Sequence, residues 1–212
     1  MNEKDHLNTL SDIRSLMERS SRFLPLSGMS GIFIGLYALA GAWFTAWYLR
    51  EHFSGTGSSE PAAAGAPPES LLAPTGMIVL VAFLVLSLSL LTAYYFTRRR
   101  AVKEGLALWD ASARRMLLNL CIPLAAGGLY CLALWKHQHP ELLAPAMLLF
   151  YGLALLHAAK YTYNDLRFLG LAEMMLGLLA SFLTEYGLTF WALGFGLLHI
   201  LYGITMYYKY ER

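Results

Sequence analysis

Glu and His seldom sit inside apolar helices, yet both occur in a patterned way in the last third of this chain. Glu173 lies within the apolar stretch Leu166–Leu183, and His199 lies within Leu188–Tyr207. The turn between the two stretches centres near Tyr186 and Gly187, and each of the two residues stands 13 positions from Tyr186. In an antiparallel hairpin equal distance from the turn means equal depth, so a carboxyl and an imidazole are predicted to meet. The glycines repeat this symmetry. Gly170, Glu173 and Gly177 fall at i, i+3 and i+7, one face of a helix, and Gly196, His199 and Gly203 repeat the spacing. The pattern predicts Gly170 opposite Gly203, Glu173 opposite His199 and Gly177 opposite Gly196. Small residues of this kind let membrane helices approach closely.

Two kinds of chemistry suit such a pair. A buried hydrogen bond could pin the hairpin, an effect typically under about 2 kcal/mol in membranes. A proton switch is the other reading. Burial disfavours an ionised carboxyl, a neighbouring carboxylate favours a charged imidazole, and the titration then belongs to the pair. His157, about six residues above the next turn, is a third candidate for proton or ligand binding, with Lys160, Asp165 and Arg167 at the mouth of a path. Facing His199 across parallel spans, it could instead supply an axial haem ligand. Haem is the sole cofactor these residues suggest. LALLHAAKYTY and GFGLLHILYGI set the two histidines in similar surroundings, a faint trace of the internal repeats common in transporters.

Elsewhere the reactive residues are sparse. Cys121 and Cys131 share one helix at a spacing of about 15 Å, too far to bond. His137 and His139 beside Glu141 form an H-x-H pair, but a metal needs a third or fourth ligand; the only other histidine on that side is His52. A polar interfacial turn accounts for them without a metal. No P-loop, dinucleotide fingerprint, zinc spacing or nucleophile elbow is present. Tyr151, Tyr161, Tyr163, Tyr202, Tyr207, Tyr208 and Tyr210 read mostly as interfacial-belt residues.

The elements that must position these groups follow from composition. Hydrophobic residues make up 57% of the 212, charged residues 14%, and mean hydropathy is +0.48. Soluble domains carry about 25% charge, so an all-α, polytopic membrane bundle is predicted. The formal charge of +2 is too small to indicate nucleic acid. With about 20 apolar residues needed per crossing, six spans are predicted: 28–48, 76–96, 116–135, 142–159, 166–183 and 188–207. Together they form a transmembrane domain over residues 28–208. The polar opening MNEKDHLNTL lacks the apolar core of a cleaved signal.

Of the 16 Lys and Arg residues only Arg50 and Lys136 fall on one side of these spans, which predicts cytoplasmic N and C termini. Residues 51–74 read as a flexible external loop. Val102, Leu106 and Trp109 at helical spacing predict that the second span extends and then turns along the membrane surface. Residues 1–27 read as a cytoplasmic amphipathic helix. Thr9 and Asp12 form its cap, Ile13, Leu16 and Met17 its apolar face, and Arg14, Arg19 and Arg22 its basic side. It would lie on the anionic leaflet or dock a cytoplasmic protein partner.

MERSSRFLPLSGMSG before the first span, and GFGLLHILYGITMYYKYER at the end, resemble an uncharacterised family of small bacterial inner-membrane proteins. The resemblance implies that compartment and brings no activity or site residue with it. Two functions from different classes fit: a non-enzymatic membrane sensor or regulatory subunit, and a small, oligomeric proton-coupled transporter or channel. A homo-oligomer is compatible with either. An intramembrane enzyme ranks third, since no nucleophile–base pair or metal triad is visible.

Overall fold

The structure is a computed structural model that describes residues 26–53 and 68–212, and the predicted N-terminal amphipathic helix lies outside those residues. The described residues form helices and no strands. In chain order they are α1 (Gly28–Phe53), α2 (Pro68–Glu104), α3 (Ala111–Lys136), α4 (Leu143–Ala158), α5 (Asp165–Phe182) and a composite α6. The last is built from Gly187–Trp191, a π-helical segment Ala192–Leu198, and His199–Tyr210. Five of the six are long and apolar enough to cross a membrane: Gly28–Glu51, Gly76–Glu104, Ala111–Lys136, Pro140–Tyr161 and Thr184–Tyr210. The chain is thus a helical protein of the integral membrane type. α5 is not among the five, because Asp165, Arg167 and Glu173 interrupt its apolar run.

Helix ends depart from the sequence reading in two places. Residues 51–53 and 68–74, expected in the external loop, continue α1 and begin α2. α2 stops at Glu104, since Gly105 takes φ +66°, a left-handed conformation that suits glycine and ends a helix. Leu106 and Trp109 therefore belong to a turn and not to a helix along the membrane surface. Asp110 then caps α3 by accepting the Ala113 N–H at 2.6 Å.

The packing order is α2 on α1, α1 on α6, α6 on α4 and α5, and α4 on α3. Glycines set the closest approaches, but not those expected. Gly170 and Gly177 face α4: a Cβ at Gly170 would lie 2.8 Å from the Gly152 carbonyl, and one at Gly177 2.7 Å from Leu149 N. Gly196 and Gly203 face α1, where Leu39, Gly28 and Ile32 leave no room for a side chain. The mirrored pairing of Gly170 with Gly203 and of Gly177 with Gly196 is therefore incorrect. The cause is angular. At 3.6 residues per turn Gly170 and Gly177 point nearly the same way, whereas Glu173 lies roughly 50° to one side. The glycine stripes serve α4 and α1, and the polar residues turn into the junction between helices.

An apolar cluster of Ala113, Met116, Leu155, Ala158, Ala159, Leu166 and Leu169 joins α3, α4 and α5 near one end of the bundle. Arg100 gathers four chain segments at that same end. It is 9% exposed. Its guanidinium donates to Glu104 at 2.7 Å, Glu211 at 3.3 Å, the Tyr163 hydroxyl at 3.1 Å, the Tyr210 carbonyl at 3.1 Å and the Leu26 carbonyl. Glu211 in turn accepts from Ser27 Oγ at 3.3 Å and from the Gly28 N–H that opens α1. Leu26 and Tyr210 therefore meet at one end of the bundle.

Candidate functional site

Glu173 and His199 come together where α4, α5 and α6 meet. Glu173 is 0% exposed and His199 4%. Glu173 Oε1 lies 3.4 Å from His199 Nδ1. That distance permits charge attraction, but neither carboxyl oxygen has a hydrogen-bond partner. The two observations are reconciled by a third, since Nδ1 lies 3.1 Å from the Gly194 carbonyl oxygen. A carbonyl only accepts, so Nδ1 carries the hydrogen and directs it at Gly194, past the carboxyl.

The other ring nitrogen is also occupied. Nε2 stands 2.8 Å from the Tyr151 hydroxyl of α4. With that hydroxyl donating, the imidazole is neutral; with Nε2 protonated and the hydroxyl accepting, it is a cation beside Glu173. Ring packing holds this geometry. Phe195 lies with its centroid 5.0 Å from Tyr151 and 6.0 Å from His199, and Trp191 backs Phe195 at 5.2 Å.

Gly194 contributes twice. Besides its carbonyl, it offers the space a side chain would occupy: a Cβ there would collide with Glu173 Oε2 and with Leu148. Leu148 is itself fully buried. The Glu173 carboxyl thus packs directly on the Gly194 backbone inside the π segment. π-Helical turns run i to i+5 and often mark functional positions. Between Gly194 and Leu148 on one side and His199 on the other, the crowded oxygen suits a proton better than any larger cation.

The other expected residues divide. His157 is half-buried on α4, and no hydrogen bond or ion pair joins it to the site. It lies six residues beyond Tyr151, about 9 Å at helical rise, so it does not share the surroundings of His199 that the repeat suggested. Haem does not fit His199, because Tyr151 and Gly194 take both ring nitrogens. On the far side His139 pairs with exposed Glu141 at 3.0 Å, and among the described residues no group of three metal-ligating side chains occurs. Cys121 and Cys131 are free.

Sequence reasoning missed Tyr151 and Gly194. In the sequence Tyr151 reads as a belt residue. Counted outward from Tyr163, it stands 12 positions before the turn and Glu173 10 after it. The counting that paired Glu173 with His199 would have found it too. The buried Tyr202 hydroxyl, unlike that of Tyr151, has no hydrogen-bond partner. It stands one turn beyond His199, against the apolar cluster.

Lys209 and Tyr210 of α6 grip Asp165 at the start of α5, at 2.8 Å and 2.7 Å. Burial pushes the Asp165 carboxyl up, but these hydrogen bonds outweigh it and hold the group below the usual carboxylate range. Compared with protein-family models, curated proteins and solved structures, the chain matches none of them.

Proposed function

We propose that the protein is a non-enzymatic membrane sensor or regulatory subunit whose responsive element is the Glu173–His199 pair, with the proton as its ligand. One observation carries the reading: a fully buried carboxyl with no hydrogen-bond donor, packed on Gly194, beside an imidazole whose hydrogens are directed elsewhere. An ionised carboxylate left without a donor costs several kcal/mol at such a place. A neutral carboxyl leaves only one O–H unpaired, about 1–3 kcal/mol. A proton is thus the ligand this arrangement has room for, and its gain or loss changes what the carboxyl must bond to, which is what a proton-responsive element requires.

The reading includes a sixth crossing. α4 ends near Tyr163, at the Arg100 end, whereas Gly187 at the start of α6 lies against Ala144 at the opposite end of α4. α5 joins these two points and packs along α4 throughout, from Gly170 against Gly152 to Gly177 against Pro145. Its Glu173 is acceptable in a membrane because α4 and α6 cover it. The distribution of Lys and Arg supports cytoplasmic termini, and the resemblance of the chain's two ends supports a bacterial inner membrane. The lipid bilayer and a cytoplasmic protein reached through the N-terminal residues are the partners this reading implies.

Trp191 provides the test, since it stacks on Phe195 beside His199. In vesicles, the part of the tryptophan fluorescence that Trp191→Phe removes should change with pH in the wild type and stay flat in Glu173→Gln. A lumenal pH dye in the same vesicles should report equal proton leak for both proteins. Leak in the wild type that Glu173→Gln abolishes would instead identify a proton-coupled transporter or channel. A flat Trp191 signal in the wild type would remove the sensor reading.

A further inference from the structure

The π segment does more than frame the carboxyl, because its outer side is pressed against α1. A Cβ at Gly35 of α1 would lie 2.5 Å from the Gly196 carbonyl and 2.6 Å from the Ile200 side chain. One at Gly31 would lie 3.2 Å from the His199 carbonyl and 3.1 Å from Gly203 Cα. On this seam backbone approaches backbone closely, and the Ile200, Leu39 and Ile32 side chains fill the space beside it. The same stretch of α6 thus meets Glu173 on its inner side and α1 on its outer side.

The hydrogen on His199 Nδ1 has two acceptors within reach, the Gly194 carbonyl at 3.1 Å and Glu173 Oε1 at 3.4 Å. Which of them it serves depends on the carboxyl. A neutral carboxyl is the weaker acceptor, and the hydrogen stays with Gly194. An ionised one is roughly twice as strong a partner. The Gly194 carbonyl is a backbone group that an α-helical turn would bond internally, so its engagement with the side chain and the wide turn go together.

We propose that the π segment Ala192–Leu198 is a proton-driven switch that reports to α1. With Glu173 protonated, His199 holds the Gly194 carbonyl and the wide turn persists. When the carboxyl O–H breaks and its proton passes to bulk water, the carboxylate takes the Nδ1–H. The Gly194 carbonyl is then left to main-chain donors alone, and the segment tightens toward α. Tightening turns the rest of α6 relative to its start, and the glycine seam imposes the change on α1. Both helices end at the Arg100 clasp, where Leu26 and Tyr210 share one guanidinium. That clasp is the point at which the change reaches the end of the bundle. The titratable groups facing the switch are Tyr151 from α4, Glu173 from α5, and His199 itself from α6, with Tyr202 one turn beyond it. α1 meets this segment through Gly35 and Leu39 against Gly196. The inference rests on the proton-sensing reading and adds its moving part.

Hydrogen exchange of the full-length protein in vesicles tests it, across the pH range in which Trp191 fluorescence titrates. Exchange over residues 192–199, taken relative to the intrinsic rate at each pH, should slow severalfold as the pH rises. Exchange over 28–39 should change with the same midpoint, and both should be flat in Glu173→Gln. Gly35→Ala, which wedges the seam, should keep the Trp191 titration and weaken the response of 28–39. If Trp191 titrates while exchange of both segments stays constant in the wild type, the switch is wrong and the proton site survives. If Trp191 does not titrate at all, both are wrong.

Discussion

At the scale of single residues, the site depends on what is missing as much as on what is present. Glu173 has no donor, Gly194 has no side chain, and each condition makes the other possible. Gly194→Ala should therefore be poorly tolerated. Its methyl would press on Glu173 Oε2 and Leu148, and overpacking of this kind costs typically about 1–3 kcal/mol. Gly128→Ala is the control, since a Cβ there meets nothing within 4 Å; it should be neutral or stabilising by up to about 1 kcal/mol. Thermal unfolding in detergent compares the two directly, and equal midpoints would show that Gly194 is not packed as described. The meeting of Glu173 and His199 could be read from the sequence because depth in a hairpin is a matter of counting. Gly194 was hidden because π-helical register has no periodic signature, and a glycine before Gly196 reads as one more small residue. Arg100 was hidden among Arg98 and Arg99. Three consecutive arginines look alike until packing turns one inward.

At the scale of elements, each helix carries separate stripes for separate neighbours. The i, i+3, i+7 pattern was legible, but its division was not. A glycine stripe and a polar residue about 50° apart look like one face in sequence and serve two junctions in space. Gly170→Leu should accordingly disturb the contact of α4 with α5 and move the Trp191 signal only as a consequence of unfolding. The ends of α5 and α6 are held by the Asp165–Lys209–Tyr210 contact, and its pH dependence has a definite sign. The Asp165 carboxyl is lowered in the folded protein, so its stabilisation is complete above the unfolded value of about 4. It is lost as pH falls through the lower folded value. Lys209 is half exposed, so the effect is under about 1 kcal/mol. Melting curves of wild type and Asp165→Asn should differ slightly at neutral pH and converge in acid; a gap that widened in acid would reverse the assignment. Arg100→Lys should lose more, on the order of 3 kcal/mol, because one ammonium cannot replace a planar fork bonded to five acceptors.

At the scale of the whole molecule, composition was enough to indicate a helical membrane protein, because a chain with this little charge has no polar coat for water. The crossing proposed for α5 rests on enclosure. Its three charged residues look unfavourable until α4 and α6 are seen to enclose the one at its middle. A bundle with six crossings and cytoplasmic termini places Asn164 inside and Glu185 outside, one at each end of α5. Single cysteines there, in a protein with Cys121 and Cys131 replaced by Ala, should label from opposite sides of the membrane. Labelling of both from one side would remove the sixth crossing, and labelling of Asn164 from outside would remove the orientation. The central claim is that Glu173 holds a proton inside this bundle, and its carbonyl stretch reports that proton directly. Infrared difference spectra of the reconstituted protein, taken across a pH titration, should show a protonated-carboxyl band that changes with pH and is absent from Glu173→Gln. A band identical in both proteins, or none in the wild type at any pH, would contradict the account.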